Sequence, residues 1–131
     1  MIPPPSPAAA SPRRAASLRV ALAAFPIQRD PEANFREIES LAGEAARGGA
    51  RLVVFAEGAL SGYYGEQFHS ADELDLAKIH RLTRELGAIS RRHGLYLAAG
   101  TLEARAGAYY NSLLAFSPAG RRAACYRKRH L

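Results

Sequence analysis

The sequence is poor in the residues that build cross-linked or metal-stabilised small domains. One cysteine in 131 residues excludes an internal disulfide framework and a cysteine-based zinc finger. The four histidines show neither an i, i+4 pair nor the HExxH spacing, so we expect no bound metal. The glycine-rich phosphate motifs GxGxxG and the P-loop are absent. No stretch reaches the about 18 consecutive apolar residues of a transmembrane helix, and we expect no membrane partner.

The remaining composition is typical of one globular domain or part of one. Apolar residues make up 48% and charged residues 23% of the chain. The net charge is +6, but sixteen of the eighteen basic residues are arginines spread along the chain. The one dense basic cluster, residues 121–130, fits a solvated strand edge or loop. We therefore expect no nucleic-acid partner, although a nucleic-acid patch there is the competing interpretation.

The first residues of the chain have few large apolar side chains that folding could bury. Residues 1–16 are mostly proline, alanine and serine, and are predicted to form a disordered tail before a domain of residues 17–131. Arg13 and Arg14 resemble a twin-arginine export signal. Arg19 interrupts the apolar stretch that such a signal needs, so we predict a cytoplasmic location.

The first third of the chain reads as a strand, a helix and a second strand. Residues 17–27 are an apolar run that predicts a buried strand. Asp30 followed by Pro31 predicts a helix start, and Gly48 with Gly49 predicts its end. Residues 51–57 predict the second strand. A crossover of about 23 residues makes the two strands parallel neighbours.

The rest of the chain predicts a second helix and three more strands. Residues 58–69 form a loop rich in glycine and aromatics, after which Ser70 and Glu73 resemble a capping box. Apolar side chains then recur at helical spacing up to Gly94. The predicted strands are residues 95–103, 109–116 and 122–127, the last two joined by a turn at residues 117–120. The fold class is therefore α/β.

Glu57 is the strongest candidate for chemistry. It lies at the carboxyl end of a predicted central strand, where ligand sites of open α/β sheets collect. A carboxylate at the edge of an apolar core is desolvated, which favours the proton uptake that a general base needs. The alternative is a strand-end residue that points to water.

Lys128 is the second candidate. It follows the fifth predicted strand, where its charge can stabilise a developing oxyanion, although it also fits a solvated cation. Cys125 is interpreted as a small buried apolar residue. A partner base such as His130 would lie about 16 Å away along the strand and on the opposite face.

Two segments together resemble a known family. Residues 53–57 with residues 60–63 resemble the glutamate motif of the nitrilase superfamily, the carbon–nitrogen hydrolases, which include amidases, nitrilases and carbamoylases. Residues 110–112, the turn at 118–120 and residues 126–131 resemble its lysine motif. Each motif lies at a predicted strand end, and the resemblance covers residues 17–131.

The resemblance implies an α-β-β-α sandwich and a Cys-Glu-Lys triad. Glu57 would be the general base and Lys128 the residue that stabilises the tetrahedral intermediate. The substrate would be a small amide, nitrile or carbamoyl compound, cleaved through a covalent thioester or thioimidate. No cofactor is implied, and the full-length protein is expected to be a homo-oligomer.

The chain departs from the family pattern in two ways. Ala56 stands where the family usually has proline before the glutamate. The family's nucleophilic cysteine lies some tens of residues after the lysine, whereas Cys125 precedes Lys128. We therefore expect about the first half of a catalytic domain, inactive alone and with exposed apolar surface. A small α/β nucleic-acid-binding module and a non-catalytic partner subunit are the alternatives from other classes.

Overall fold

The computed structural model describes residues 16–129. Almost all of the predicted disordered tail lies outside the described residues. The strands are β1 (Val20–Ala23), β2 (Leu52–Phe55), β3 (Tyr96–Arg105), β4 (Ala108–Phe116) and β5 (Arg122–Arg127), and the helices are α1 (Pro31–Arg47) and α2 (Leu76–His93). A 3-10 turn, Ala71–Glu73, precedes α2.

The five strands form one mixed sheet in chain order. β1, β2 and β3 are parallel neighbours, whereas β3, β4 and β5 pair antiparallel. The parallel pairing of β1 with β2 and the closing β4–β5 hairpin are as predicted. Its turn is closed by a hydrogen bond of 2.8 Å from the Gly120 N–H to the Ser117 carbonyl. The observed fold is α/β, as the sequence predicts.

The helix ends follow from capping residues, with one correction. Asp30 caps α1, because its carboxylate accepts the Glu32 N–H at 3.1 Å. Ser70, by contrast, caps only the short 3-10 turn, and α2 begins later. Asp75 is the cap of α2, since its side chain accepts the Lys78 N–H at 2.9 Å. The Ser70 hydroxyl accepts the Asp72 N–H and the Glu73 carboxylate accepts the His69 N–H, so the reciprocal bonds of the predicted capping box do not form, and this turn lies ahead of the helix.

The prediction that the first strand is buried is wrong. β1 is short and lies at the edge of the sheet, with Val20 43% and Leu22 84% exposed. Among the described residues β1 pairs with β2 alone. Its alternate side chains, Val20 and Leu22, lie on the face that the helices do not cover. The apolar run therefore predicts the strand correctly but does not predict whether the strand is buried.

Both helices pack against the same face of the sheet, here called the helix-side face. The core joins helix residues to strand residues of that face, among them Ile38, Leu82, Leu86, Ile89, Val53, Phe55, Leu97 and Leu114. The opposite face, here called the open face, exposes Val20, Leu22, Tyr96, Leu113 and Tyr126. This agrees with the expected exposed apolar surface. Within residues 16–129, no helix is long and apolar enough to cross a membrane.

Candidate active site

The backbone around Glu57 is fixed by close contact with β3. The Leu60 N–H donates to the Gly100 carbonyl at 3.0 Å, and the Gly100 N–H donates to the Ala56 carbonyl at 3.3 Å. A Cβ on Gly100 would lie 2.5 Å from the Gly58 nitrogen and 2.7 Å from the Glu57 Cα. Glycine at position 100 therefore permits the loop that begins at Glu57 to lie directly against the sheet.

Two buried polar side chains hold the same loop from other sides. The Asn34 side chain accepts the Gln28 N–H at 2.7 Å and donates to the Leu60 carbonyl at 3.1 Å. The Ser61 hydroxyl accepts the Leu102 N–H at 2.9 Å. Asn34 was not singled out from the sequence, and Ser61 entered only as part of residues 60–63, because a lone asparagine or serine does not indicate its distant partner.

The structure brings Glu57 and Lys128 together. The Lys128 Nζ donates to the Glu57 Oε1 at 3.0 Å, although the two residues are far apart in the chain. Asn111 donates to the same oxygen through its Nδ2. The Lys128 N–H also donates to the Asn111 carbonyl at 2.8 Å. The site therefore consists of an acid, an amine and an amide that converge from β2, β4 and β5.

The Glu57 carboxylate favours the charged form of Lys128. The hydrogen bond to Glu57, followed by the attraction of its charge, raises the pKa of Lys128 above its ordinary value. Lys128 is therefore a cation at neutral pH. The side chains are 43% exposed for Glu57 and 36% exposed for Lys128, so Glu57 is less desolvated than its position beside an apolar strand indicates. A carboxylate beside a fixed cation can accept a proton while the cation faces a developing negative charge.

Two cavities adjoin this cluster, and Asn111 and Lys128 line both. The larger, of about 600 Å³, has a mostly apolar wall that includes Tyr63, Tyr64, Phe68, Leu102 and Tyr109. The smaller, of about 410 Å³, lies on the open face and is lined by Val54, Phe55, Glu57, Gly100, Ser112, Leu113 and Tyr126. The site is therefore reached from the loop side and from the open face.

Cys125 is not part of this cluster. It is exposed, which corrects the prediction of a buried apolar residue. Its register partner is Leu114, so it lies on the helix-side face, whereas Lys128 is of the opposite alternation. Its thiol contacts the Glu103 carboxylate at 3.5 Å. Within the described part of the chain, no group of three metal-ligating side chains occurs.

Comparison with known proteins places this chain in a family. Residues 19–131 match the sequence family described as Carbon-nitrogen hydrolase. A protein named Nitrilase from Pyrococcus abyssi (strain GE5 / Orsay) is 36% identical over 104 residues, covering 78% of this chain and 39% of the relative. An amidase from Nesterenkonia sp. superposes with a TM-score of 0.73 and 23% identity, covering 90% of this chain and 45% of the amidase. A carbon-nitrogen hydrolase from Helicobacter pylori G27 superposes with a TM-score of 0.73 and 24% identity, covering 86% and 40%.

The fold and the site define an α/β domain with an acid–amine pair at the ends of its strands. The chain belongs to the carbon-nitrogen hydrolase family, the nitrilase superfamily. It spans 39% of the length of its curated relative and 45% of the Nesterenkonia amidase. The predicted fold class, with about the first half of the family's domain present, is confirmed.

Proposed function

We propose that residues 17–131 are the N-terminal part of the catalytic domain of an amidase-type enzyme that hydrolyses a non-peptide carbon–nitrogen bond. The observation that carries this proposal is the 3.0 Å contact between the Lys128 Nζ and the Glu57 Oε1 beside an open cavity. Family membership and the amidases among the structural neighbours support it.

In this proposal Glu57 is the general base and Lys128 stabilises the oxyanion. Glu57 takes the proton of a cysteine thiol that a segment following residue 131 supplies. The thiolate attacks the substrate carbon, and the charge that develops on its oxygen faces the Lys128 ammonium. The proton passes from Glu57 to the departing amine, which leaves a thioester. Water, activated by Glu57, then cleaves the thioester and restores the thiol.

The larger cavity favours a small amide with an uncharged acyl group. Its wall is mostly apolar and aromatic, and Lys128 is the cation that lines it among the described residues. A mutant of the Nesterenkonia amidase has been solved in complex with butyramide, an amide of this kind. The Pyrococcus relative named Nitrilase favours a nitrile as the second candidate substrate. A carbamoyl substrate is the third, because the same site would polarise its carbonyl.

The test uses the reading frame continued beyond residue 131. We expect a strand followed by a cysteine at a tight turn, and ammonia release from butyramide by the longer protein. Glu57→Gln should lower kcat by about a hundredfold or more, because the base is lost while the substrate pocket is kept. Glu85→Gln on the surface of α2 is the matched control and should leave kcat unchanged. Full activity of Glu57→Gln would refute the assignment.

The 131-residue chain alone is proposed to be inactive, because its one cysteine is not at the site. Ammonia release by the purified chain, abolished by Glu57→Gln, would overturn this. A cytoplasmic location and homo-oligomerisation of the longer protein stay predictions.

A further inference from the structure

A second polar cluster lies on the helix-side face, centred on Glu103 of β3. Its carboxylate accepts hydrogen bonds from the Ser112 hydroxyl at 2.6 Å and from the Arg127 Nε at 3.1 Å. The Arg122 Nη1 lies 3.4 Å and the Cys125 thiol 3.5 Å from the same carboxylate. Only 15% of the Glu103 side chain is exposed. One acid therefore links β3, β4 and β5.

The two strongest partners of Glu103 are the chain neighbours of the two site residues. Ser112 and Arg127 are register partners in the β4–β5 pair. Asn111 precedes Ser112, and Lys128 follows Arg127. Successive side chains of a strand point to opposite faces. Holding Ser112 and Arg127 on one face therefore fixes where the backbone presents Asn111 and Lys128 on the other.

We propose that Glu103 is a positioning residue that sets the register of β4 and β5 so that Asn111 and Lys128 both reach Glu57. Its importance for catalysis rests on the proposed function, whereas its effect on the Lys128–Glu57 contact does not. Nothing in the proposed hydrolysis requires Glu103 to touch the substrate.

The charge and packing of the cluster support this role. Burial alone would raise the pKa of Glu103, but hydrogen bonds from Ser112 and Arg127 and the charge of Arg127 outweigh it and lower the pKa. Glu103 is therefore an anion at neutral pH. The Arg127 guanidinium also lies 5.1 Å from the centre of the Tyr110 ring, within the range of a cation–π contact. Arg127 is thus held from two sides, which limits the freedom of the residue that follows it.

The experiment measures the Lys128–Glu57 contact directly. The chain has two lysines, Lys78 and Lys128, so labelling of each by an amine-reactive reagent at about pH 9 is resolved by peptide mass spectrometry. The reagent attacks neutral amines, so a lysine held by a carboxylate reacts slowly. Lys78, on α2 and near Asp30, is the internal reference. Glu57→Gln, which removes the partner, gives the rate of an unpaired Lys128.

We expect Glu103→Gln and Glu103→Ala to raise the labelling rate of Lys128 about two- to tenfold, toward the Glu57→Gln value, with Lys78 unchanged. Glu85→Gln is the matched control, because it breaks a carboxylate–arginine pair with Arg81 on α2 and should leave both rates unchanged. If Lys128 keeps its original rate in both Glu103 variants, the proposal is overturned. It is also overturned if Glu57→Gln does not raise the rate.

A milder variant keeps the test decisive if the Glu103 variants fail to fold. If labelling of both lysines rises in the Glu103 variants, Ser112→Ala decides, because it removes one link and keeps the Arg127 pair. A selective rise at Lys128 in Ser112→Ala supports the proposal, and no rise refutes it. In the longer enzyme, Glu103→Gln should lower kcat with little change in KM. If the longer protein without any substitution is inactive, the proposed function is contradicted. The labelling result for Glu103 is unaffected by that outcome.

Discussion

At the scale of single residues, Ser61 tests how far the site loop depends on one buried hydroxyl. Ser61 is 1% exposed, and its oxygen accepts the Leu102 N–H. Ser61→Ala leaves that donor without an acceptor, which should lower the free energy of unfolding by about 1–3 kcal/mol. Urea unfolding followed by circular dichroism measures the change. Ser70→Ala, at an exposed 3-10 cap, is the control and should cost about 1 kcal/mol or less.

The lowered pKa of Glu103 gives the chain a defined acid sensitivity. A carboxyl whose pKa is lower in the folded than in the unfolded protein stabilises the folded state. This contribution is fully present at pH values above the ordinary pKa of 4.5. That contribution is lost as the pH falls through the folded-state value. We therefore expect Glu103→Gln to be less stable than the original chain at neutral pH, with the difference shrinking below 4.5. Urea unfolding at several pH values checks this, and a constant difference would contradict it.

Which residues could be found from the sequence follows from where their partners lie. Glu57 and Lys128 each follow a predicted strand, and the carboxyl ends of strands that run in the same direction lie at the same edge of a sheet, so the residues could be singled out. The bonding of Asn111 and Glu103 depends on the register of β3, β4 and β5. Register is a tertiary property that the sequence pattern leaves open.

At the scale of elements, three of the four helix ends were predictable and the strand environments were not. Asp30, Pro31 and Gly94 act within one turn of backbone, so their effect is readable from neighbouring residues. The start of α2 was misplaced, because Ser70 and Asp75 are both good caps and local chemistry does not rank them. The burial of β1 depends on what covers the sheet, which no local pattern contains.

Gly100 tests the contact between β3 and the loop that begins at Glu57. Gly100→Ala places a methyl group within 2.7 Å of loop backbone, so loop or strand must shift. We expect a loss of about 1–3 kcal/mol in the free energy of unfolding, typical of overpacking, and faster labelling of Lys128. Gly48→Ala is the matched control. Its φ of −74° suits alanine and its neighbours lie at 3.4 Å or more, so it should change stability by about 0.5 kcal/mol or less.

At the scale of the whole molecule, the β-α-β rules sufficed for the parallel half of the sheet. A helical crossover such as that between β1 and β2 joins parallel neighbouring strands, and a short turn such as that between β4 and β5 joins antiparallel strands. Applied along the chain, these rules agree with the observed strand order. Those rules place the helices on one face of the sheet, but they do not say what covers the opposite face. The open face therefore follows from the structure, and its exposed side chains come from β1, β3, β4 and β5.

The open face should make the isolated chain self-associate. Large contiguous apolar surfaces are rare on monomers, and they favour pairing in water because association removes them from solvent. We expect the weight-average mass in sedimentation velocity to rise with protein concentration. Tyr126→Ser, which removes a ring that is 60% exposed on this face, should weaken the association. Tyr64→Ser is the matched control, because Tyr64 is 65% exposed but lies in the loop after β2. An equal effect of the two substitutions, or no association at any concentration, would show that the open face is not the surface that pairs.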